Sequence, residues 1–368
     1  MAGNKRTFIL ILFIILFLNH GLESQILNEE NDVFDLYSAE KRTFSFALDA
    51  MTFFHNNEFF ETFVEGYTLT GAYFQPKLLY SATEKLNVSA GMQFLKFNGK
   101  EEFDQFKPWF HLQYRFSDAF SIAMGSYNGG SSLLIPEPMF DYENNFTNIH
   151  QEGIRIDYHT NKLNSITWLN WDTFIEPADT FREEFTIGNS TVLQLVGNDH
   201  YQLSLPLHIL FHHKGGQINQ RTEPVLTYTE LASGLEYKAF TGNNLVNVLS
   251  FSLMGFYDKA VEKGEENGFG IFPRLFMENE FLEMSLGYFY GENYSTELGE
   301  PLYFSNLYNE NGNPINRRLF TIKAGIKKQI AENSFLTLRF DGWYDANIQK
   351  LQYCYGIYII LNEWYKID

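Results

Sequence analysis

A single cysteine, Cys354, stands in 368 residues, so neither a disulfide framework nor a cysteine-rich metal site is available. Basic residues are also scarce. Lys and Arg total 27 against 45 Asp and Glu, a formal net charge of -18. Such a chain repels phosphates, which excludes nucleic acid as a partner. Charged residues make up only 20% and hydrophobic ones 45%, which excludes gross disorder. Beyond residue 18 no apolar run is long enough for a membrane helix. The mean hydropathy is negative, which excludes a bundle of such helices. No helical apolar period persists, and no Gly-rich phosphate loop joins a strand to a helix.

What the chain does have is aromatic residues: 17%, with 37 Phe and 22 Tyr. They suit strands and the aromatic girdles of a membrane barrel. The N-terminus has the form of an export signal. Lys5 and Arg6 precede an apolar run at 7–18, and 20–25 is a cleavage region without a clean small-residue site. The expected organisation is a signal peptide at 1–24, a polar lead at 25–41 and one β-barrel domain at 42–368.

From residue 42 onward, extended segments follow one another with two-residue alternation. In 200–213, Leu203, Leu205, Leu207, Ile209 and Phe211 oppose Gln202, Ser204, Pro206, His208 and His212. In 334–345, Leu336, Leu338, Phe340 and Tyr344 oppose Thr337, Arg339 and Asp341. Successive side chains of a strand point to opposite sides, so one face is apolar and the other polar. Any half-buried antiparallel sheet does this; the connections are more specific. Tight joints such as 161–162, 197–199 and 241–243 alternate with longer polar ones such as 55–65, 129–150 and 292–316. Short turns at one end and long loops at the other are the habit of an outer-membrane barrel. The expected fold is therefore all-β: a transmembrane antiparallel barrel of about sixteen strands, with 14–18 as the range. The expected location is the cell outer membrane, in contact with its lipid.

Candidate residues follow from the polar face. Lys77, Arg115, Arg155, Asp157, Glu230, Glu236, Arg274, Lys323, Arg339 and Asp341 form an expected pore lining of both signs. At this width wall side chains do not fill the interior, which is expected to hold water. In the joint 129–150, a Gly-rich start precedes an apolar patch, odd for a loop that meets only water. In general porins, which this layout resembles, the third outer loop folds into the lumen; that resemblance implies Glu137, Asp141 and Glu143 as a constriction facing Arg115 and Arg155, and the competing reading is an outer lid or a strand extending the wall. The joint 292–316, with Tyr294, Tyr303, Phe304, Tyr308, Asn306, Asn309 and Asn311, reads as a surface patch for sugars or proteins, or as an ordinary barrel loop. His208 and His212 share a face about 13 Å apart, too far for one metal ion. Ser131, Ser132, His150 and Asp157 make a hydrolase only on paper, since no spacing supports them.

The layout of the mature chain resembles outer-membrane barrels and, in its third long loop, general porins. The stretches Leu134-Ile135-Pro136-Glu137-Pro138, Asn148-Ile149-His150-Gln151-Glu152-Gly153-Ile154 and Trp168-Leu169-Asn170-Trp171 are similar to uncharacterised barrels of Bacteroidota. The ending Trp364-Tyr365-Lys366-Ile367-Asp368 departs from the terminal aromatic of proteobacterial porins. The expected function is a porin-like channel for small polar solutes. The alternative is a non-conducting barrel that anchors a surface lipoprotein or a secretion complex. Neither a cofactor nor enzyme activity is expected.

Overall fold

The computed structural model describes residues 41–61, 63–216, 225–243, 245–261, 267–305, 307–308 and 314–367. The expected leader 1–24 and nearly all of the lead lie outside these residues, as do Asn306, Asn309 and Asn311. The strands are β1 (Thr43–Glu58), β2 (Thr68–Ser81), β3 (Leu86–Phe97), β4 (Gln105–Ser117), β5 (Phe120–Asn128), β6 (His150–His159), β7 (Leu163–Thr173), β8 (Glu183–Gly197) and β9 (Tyr201–Gly215). They continue with β10 (Leu226–Asn243), β11 (Val246–Val261), β12 (Gly268–Glu278), β13 (Leu282–Glu292), β14 (Leu307–Tyr308), β15 (Pro314–Ile315), β16 (Arg317–Ala331), β17 (Ser334–Asp345) and β18 (Lys350–Ile367). All but the two-residue pair β14–β15 join one closed antiparallel barrel of sixteen strands. The first and last strands close it, from Phe44 opposite Ile367 to Glu58 opposite Tyr353. Closure leaves no unpaired edge, which hydrocarbon would not tolerate.

The alternation read from the sequence sets the two faces. On β9, Leu207 and Phe211 are exposed while His208 and His212 are buried. On β18, Leu351, Tyr355, Ile357 and Ile359 are exposed, while Gln352, Cys354 and Tyr358 are buried. The outward band is apolar and aromatic, as a wall in contact with acyl chains requires.

The inward face departs from the water-filled interior expected of a barrel this wide. Gln75, Lys77, Arg155 and Asp341 are at most 1% exposed. The long joints, not the wall alone, fill the space. Residues of 129–149 and 293–305 bring Leu133, Met139, Tyr294, Leu302 and Tyr303 against the wall residues Phe272, Phe289 and Trp343 in one apolar cluster. Phe146 and Ile149 pack against Met51, Phe53, Tyr73 and Leu95 in another. The surface patch expected at 292–316 is thereby corrected: Tyr294 and Tyr303 are fully buried inside the barrel.

Each inward segment has a local cause. The turn into 129–149 needs Gly130, whose φ of 64° is left-handed and whose side-chain position is closed by Asn145 Oδ1. Ser131 donates its backbone N–H to the same oxygen at 2.7 Å. The segment 293–305 is captured by two wall carboxylates, Glu230 and Asp258, which face each other across β10 and β11. Asp258 accepts the Ser295 N–H at 3.1 Å. Glu230 accepts the Thr296 hydroxyl at 2.9 Å and the Glu297 N–H at 3.1 Å. A buried loop must satisfy its backbone groups somewhere, and here the wall supplies the acceptors.

Candidate functional site

The end of the barrel from which the long joints leave holds a mostly enclosed cavity. His55 and Asn57 of β1, Glu137, Asp141 and Glu143 of the third long joint, Glu300, Lys323, Asp341, Trp343 and Cys354 line it. Strand β1 contributes His55 and Asn57 because they continue the inward parity of Asp49, Met51 and Phe53; only Asn56, buried between them, departs from the alternation.

His55 is held from both sides. Its Nδ1 lies 2.7 Å from the Tyr358 hydroxyl, and its Nε2 lies 3.6 Å from a Glu143 carboxylate oxygen. Glu143 accepts a hydrogen bond from the Asn57 amide, and another from the Tyr67 hydroxyl at 2.6 Å. These two donors stabilise its ionised form. Burial opposes them and raises the Glu143 pKa overall. Burial, with the charge of Glu143 behind it, pushes Asp141 up to about 7. Burial, followed by the charge of Asp141, holds Glu300 well above the carboxylate range. Burial is the main cause in all three.

Opposite them stands a second group. Glu137 pairs with Lys323 at 2.5 Å and accepts from the Tyr303 hydroxyl at 2.7 Å. Lys323 also lies 3.3 Å from Asp341, and Arg339 Nε donates to Asp341 at 2.8 Å. The Arg339 guanidinium lies 3.5 Å from the Tyr142 ring centre. One oxygen of Asp341, Oδ1, finds no partner among the described residues, although Asp341 is 1% exposed.

The residues singled out from the sequence are thus only partly brought together. Glu137, Asp141, Glu143, Lys323 and Asp341 line the cavity, with Arg339 bound to Asp341 beside it. Arg155 is elsewhere, bound to Asp157 at 2.9 Å and to the Ser132 hydroxyl at 2.9 Å. The cation facing Glu137 is Lys323, not Arg115 or Arg155, because the segment leans toward β16–β18. Lys77 pairs with Asp49, and Glu236 lies 3.4 Å from Lys238. Arg115 and Arg274 are half-buried on the inward face. The set Ser131, Ser132, His150 and Asp157 does not assemble as a hydrolase. Ser131 binds Asn145, Ser132 binds the backbone carbonyl of Asn128, and His150 faces Glu152 at 3.0 Å. A different serine, Ser190, lies 2.9 Å from His208 Nδ1, but its proton goes to the Leu134 carbonyl and both residues are buried. His55, Asn57, Tyr67, Glu300 and Tyr358 were not singled out from the sequence. The one signal available was the polar run His55-Asn56-Asn57-Glu58 at the end of an alternating strand.

Comparison with known proteins adds two findings. A family model described as lipid A 3'-O-deacylase-type matches residues 36–367. The fold is similar to that of outer membrane barrels of solved structure. OmpT of Vibrio cholerae, with loop L8 deleted, has a TM-score of 0.54 at 8% identity over 88% of this chain and 100% of that one. A BenF-like porin from Pseudomonas fluorescens has a TM-score of 0.52 at 8% identity, over 89% and 100%. OprD of Pseudomonas aeruginosa has a TM-score of 0.51 at 10% identity, over 90% and 98%. No curated protein matches the chain. The fold class and the outer-membrane location expected from the sequence agree with these findings. The expectation that the chain is no enzyme is corrected by the first, because the matching family takes its description from a deacylase.

Proposed function

Since the chain belongs to the lipid A 3'-O-deacylase-type family, we propose that it hydrolyses an ester-linked acyl chain of an outer-leaflet glycolipid. The observation that carries this reading is the His55–Glu143 pair facing into the cavity at the outer end of the barrel. Ester hydrolysis needs a group that takes a proton from the attacking water and a neighbour that stabilises the resulting imidazolium. His55 suits the first role and Glu143 the second. Tyr358 fixes the ring from behind at Nδ1, which leaves Nε2 toward the cavity. Asn57 and Tyr67 keep the Glu143 carboxylate aimed at the imidazole.

The test is mass spectrometry of lipid A incubated with the purified barrel in detergent. Loss of one acyl chain is expected. His55→Gln and Glu143→Gln should each slow it by about 100-fold or more, the scale of a lost acid–base group. Intact lipid A after prolonged incubation with wild-type protein would remove the proposal.

Passage of small polar solutes is a second reading, favoured by the charged inward face of a sixteen-strand barrel. The burial of that face under the inward loops weighs against it. Open-channel conductance of the wild-type protein in planar bilayers would bring it forward. A silent bilayer together with a co-purifying lipoprotein would favour an anchoring role.

A further inference from the structure

Closure gives every strand of the ring two neighbours, yet one joint is paired over only part of its length. The β4–β5 ladder runs from Ser117 opposite Phe120 up to His111 opposite Gly125 and goes no further. Beyond it β4 stays paired with β3 as far as Gln105, and β5 with β6 as far as Asn128. The outer halves of β4 and β5 therefore part, at the end from which the long joints leave. Gly125 begins the parting. Its φ is 95°, and the Phe110 carbonyl oxygen occupies the place a Cβ would take. Past it the alternation of β5 is lost, with Ser126, Tyr127 and Asn128 all buried. The Phe110 N–H then goes to the Ser126 hydroxyl at 3.0 Å rather than to backbone. Pro108 turns the same edge toward β5 and has no N–H to give. The seam is apolar outside and polar at its rim. Phe106 and Phe110, 61% and 66% exposed, are the most exposed large apolar side chains on the described wall strands, and Met124 is exposed on the other side. At the rim, Asn128 of β5 and His150 of β6 are register partners, both buried. Asn128 Oδ1 and His150 Nδ1 have no hydrogen-bond partner among the described residues.

We infer that the β4–β5 seam is where the acyl chain of an outer-leaflet glycolipid leaves the bilayer for the barrel interior. This inference rests on the deacylase reading for the fate of the chain, but concerns the route by which it enters. Acyl chains surround the wall at the height of Phe106, Phe110 and Met124, so they are what these side chains meet. Hydrocarbon alone gives no use to the two buried polar atoms at the rim. An ester, amide or hydroxyl at the head of the same lipid satisfies them. Behind the rim, His150 stands edge-on to Trp109 at 5.6 Å. Its neighbour Ile149 belongs with Phe146 to one apolar cluster, and the Phe146 ring lies 5.3 Å from that of His55. Apolar side chains thus run from the seam to the proposed hydrolytic pair.

The experiment uses lipid A carrying a photoactivatable diazirine in one acyl chain, in vesicles that hold the full-length protein. Labelled residues are mapped by mass spectrometry, and hydrolysis is followed by release of fatty acid. Label should fall on 105–110 and 124–128 about tenfold more densely than on the outward residues of β11 and β12. Phe106→Ser combined with Phe110→Ser should lower both that labelling and the release of fatty acid by about tenfold. Hydrolysis of a water-soluble short-chain ester should be unchanged in the same variant. Phe251→Ser combined with Phe269→Ser removes two equally large rings from β11 and β12 and should alter none of these readings. Even labelling around the wild-type wall overturns the inference. An equal fall in two double variants that both keep the folded, unboiled gel band overturns it as well. Label concentrated on the seam without any release of fatty acid upholds the seam and removes the deacylase reading instead. The wild-type map decides the matter even if a variant fails to fold.

Discussion

Leu338 and Arg339 are neighbours on β17, yet they answer to different surroundings. Leu338 points outward, between the exposed residues of the lipid-facing band, and needs only to be apolar. Arg339 points inward, where it holds Asp341 and covers Tyr142, a residue nearly two hundred positions earlier. The outward face is a property of each strand taken singly. The inward face is a set of partnerships with loops from other parts of the chain. One alternating pattern therefore hides two kinds of constraint: a solvent that every outward residue shares, and a lumen in which each residue has its own partner.

The largest effect expected from breaking this contrast lies on the outer side. Leu338→Arg places a charge in hydrocarbon, a cost of about 2–4 kcal/mol near the bilayer midplane. The folded, unboiled gel band of membrane-inserted protein should largely disappear. Arg339→Ala should keep that band, because Lys323 still reaches Asp341 and the wall ladder is untouched. Equal loss in both variants would erase the distinction between the faces.

An intermediate effect is expected at the wall anchor of 293–305. Glu230→Leu leaves the buried Thr296 hydroxyl without its acceptor, at about 1–3 kcal/mol, and the part-buried Glu297 N–H without its own, at less because water can replace it. Limited proteolysis should then cut within 293–305 while the barrel stays intact. An unchanged digest would mean that apolar packing of Tyr294, Leu302 and Tyr303 alone holds the segment.

The smallest effect is a pH dependence of the segment 129–149. Asp141 is held up near pH 7 when the segment is docked, above the ordinary carboxylate value. The docked state therefore binds the proton more tightly than the released one. Its stability is greatest at acid pH, falls as pH rises from about 4 to about 7, and changes little above that. The opening equilibrium of 129–149, read from amide exchange after the intrinsic hydroxide-catalysed rate is divided out, should grow over this window by at most about tenfold per pH unit for one proton. Asp141→Asn should flatten the profile; a slope that survives the substitution would place the proton elsewhere.

How much was legible depended on whether a residue's role was local. The sixteen wall strands and their inward and outward residues could be read from alternation, since hydrocarbon imposes the same demand at every turn of the wall. The inward lean of 129–149 left a trace in its own composition, a Gly-rich start and an apolar patch that water would not favour. The burial of 293–305 left none. Its Tyr and Ser residues are those of any surface loop, and what draws it inside is a pair of carboxylates on β10 and β11. His55 was passed over for the same reason. A lone histidine at a strand end carries no signal until Tyr358, three hundred residues away, and Glu143 are seen on either side of it.

The sequence by itself determined the barrel, a strand number near sixteen and which face meets lipid, because a two-residue period must set its apolar side toward a nonpolar solvent. The tertiary structure alone decided that the lumen is filled, that Lys323 rather than Arg115 or Arg155 faces Glu137, and that a histidine and a glutamate share a cavity. Those outcomes depend on where closure of the barrel places the loop ends, and contacts across a closed ring have no signature in the local order of residues.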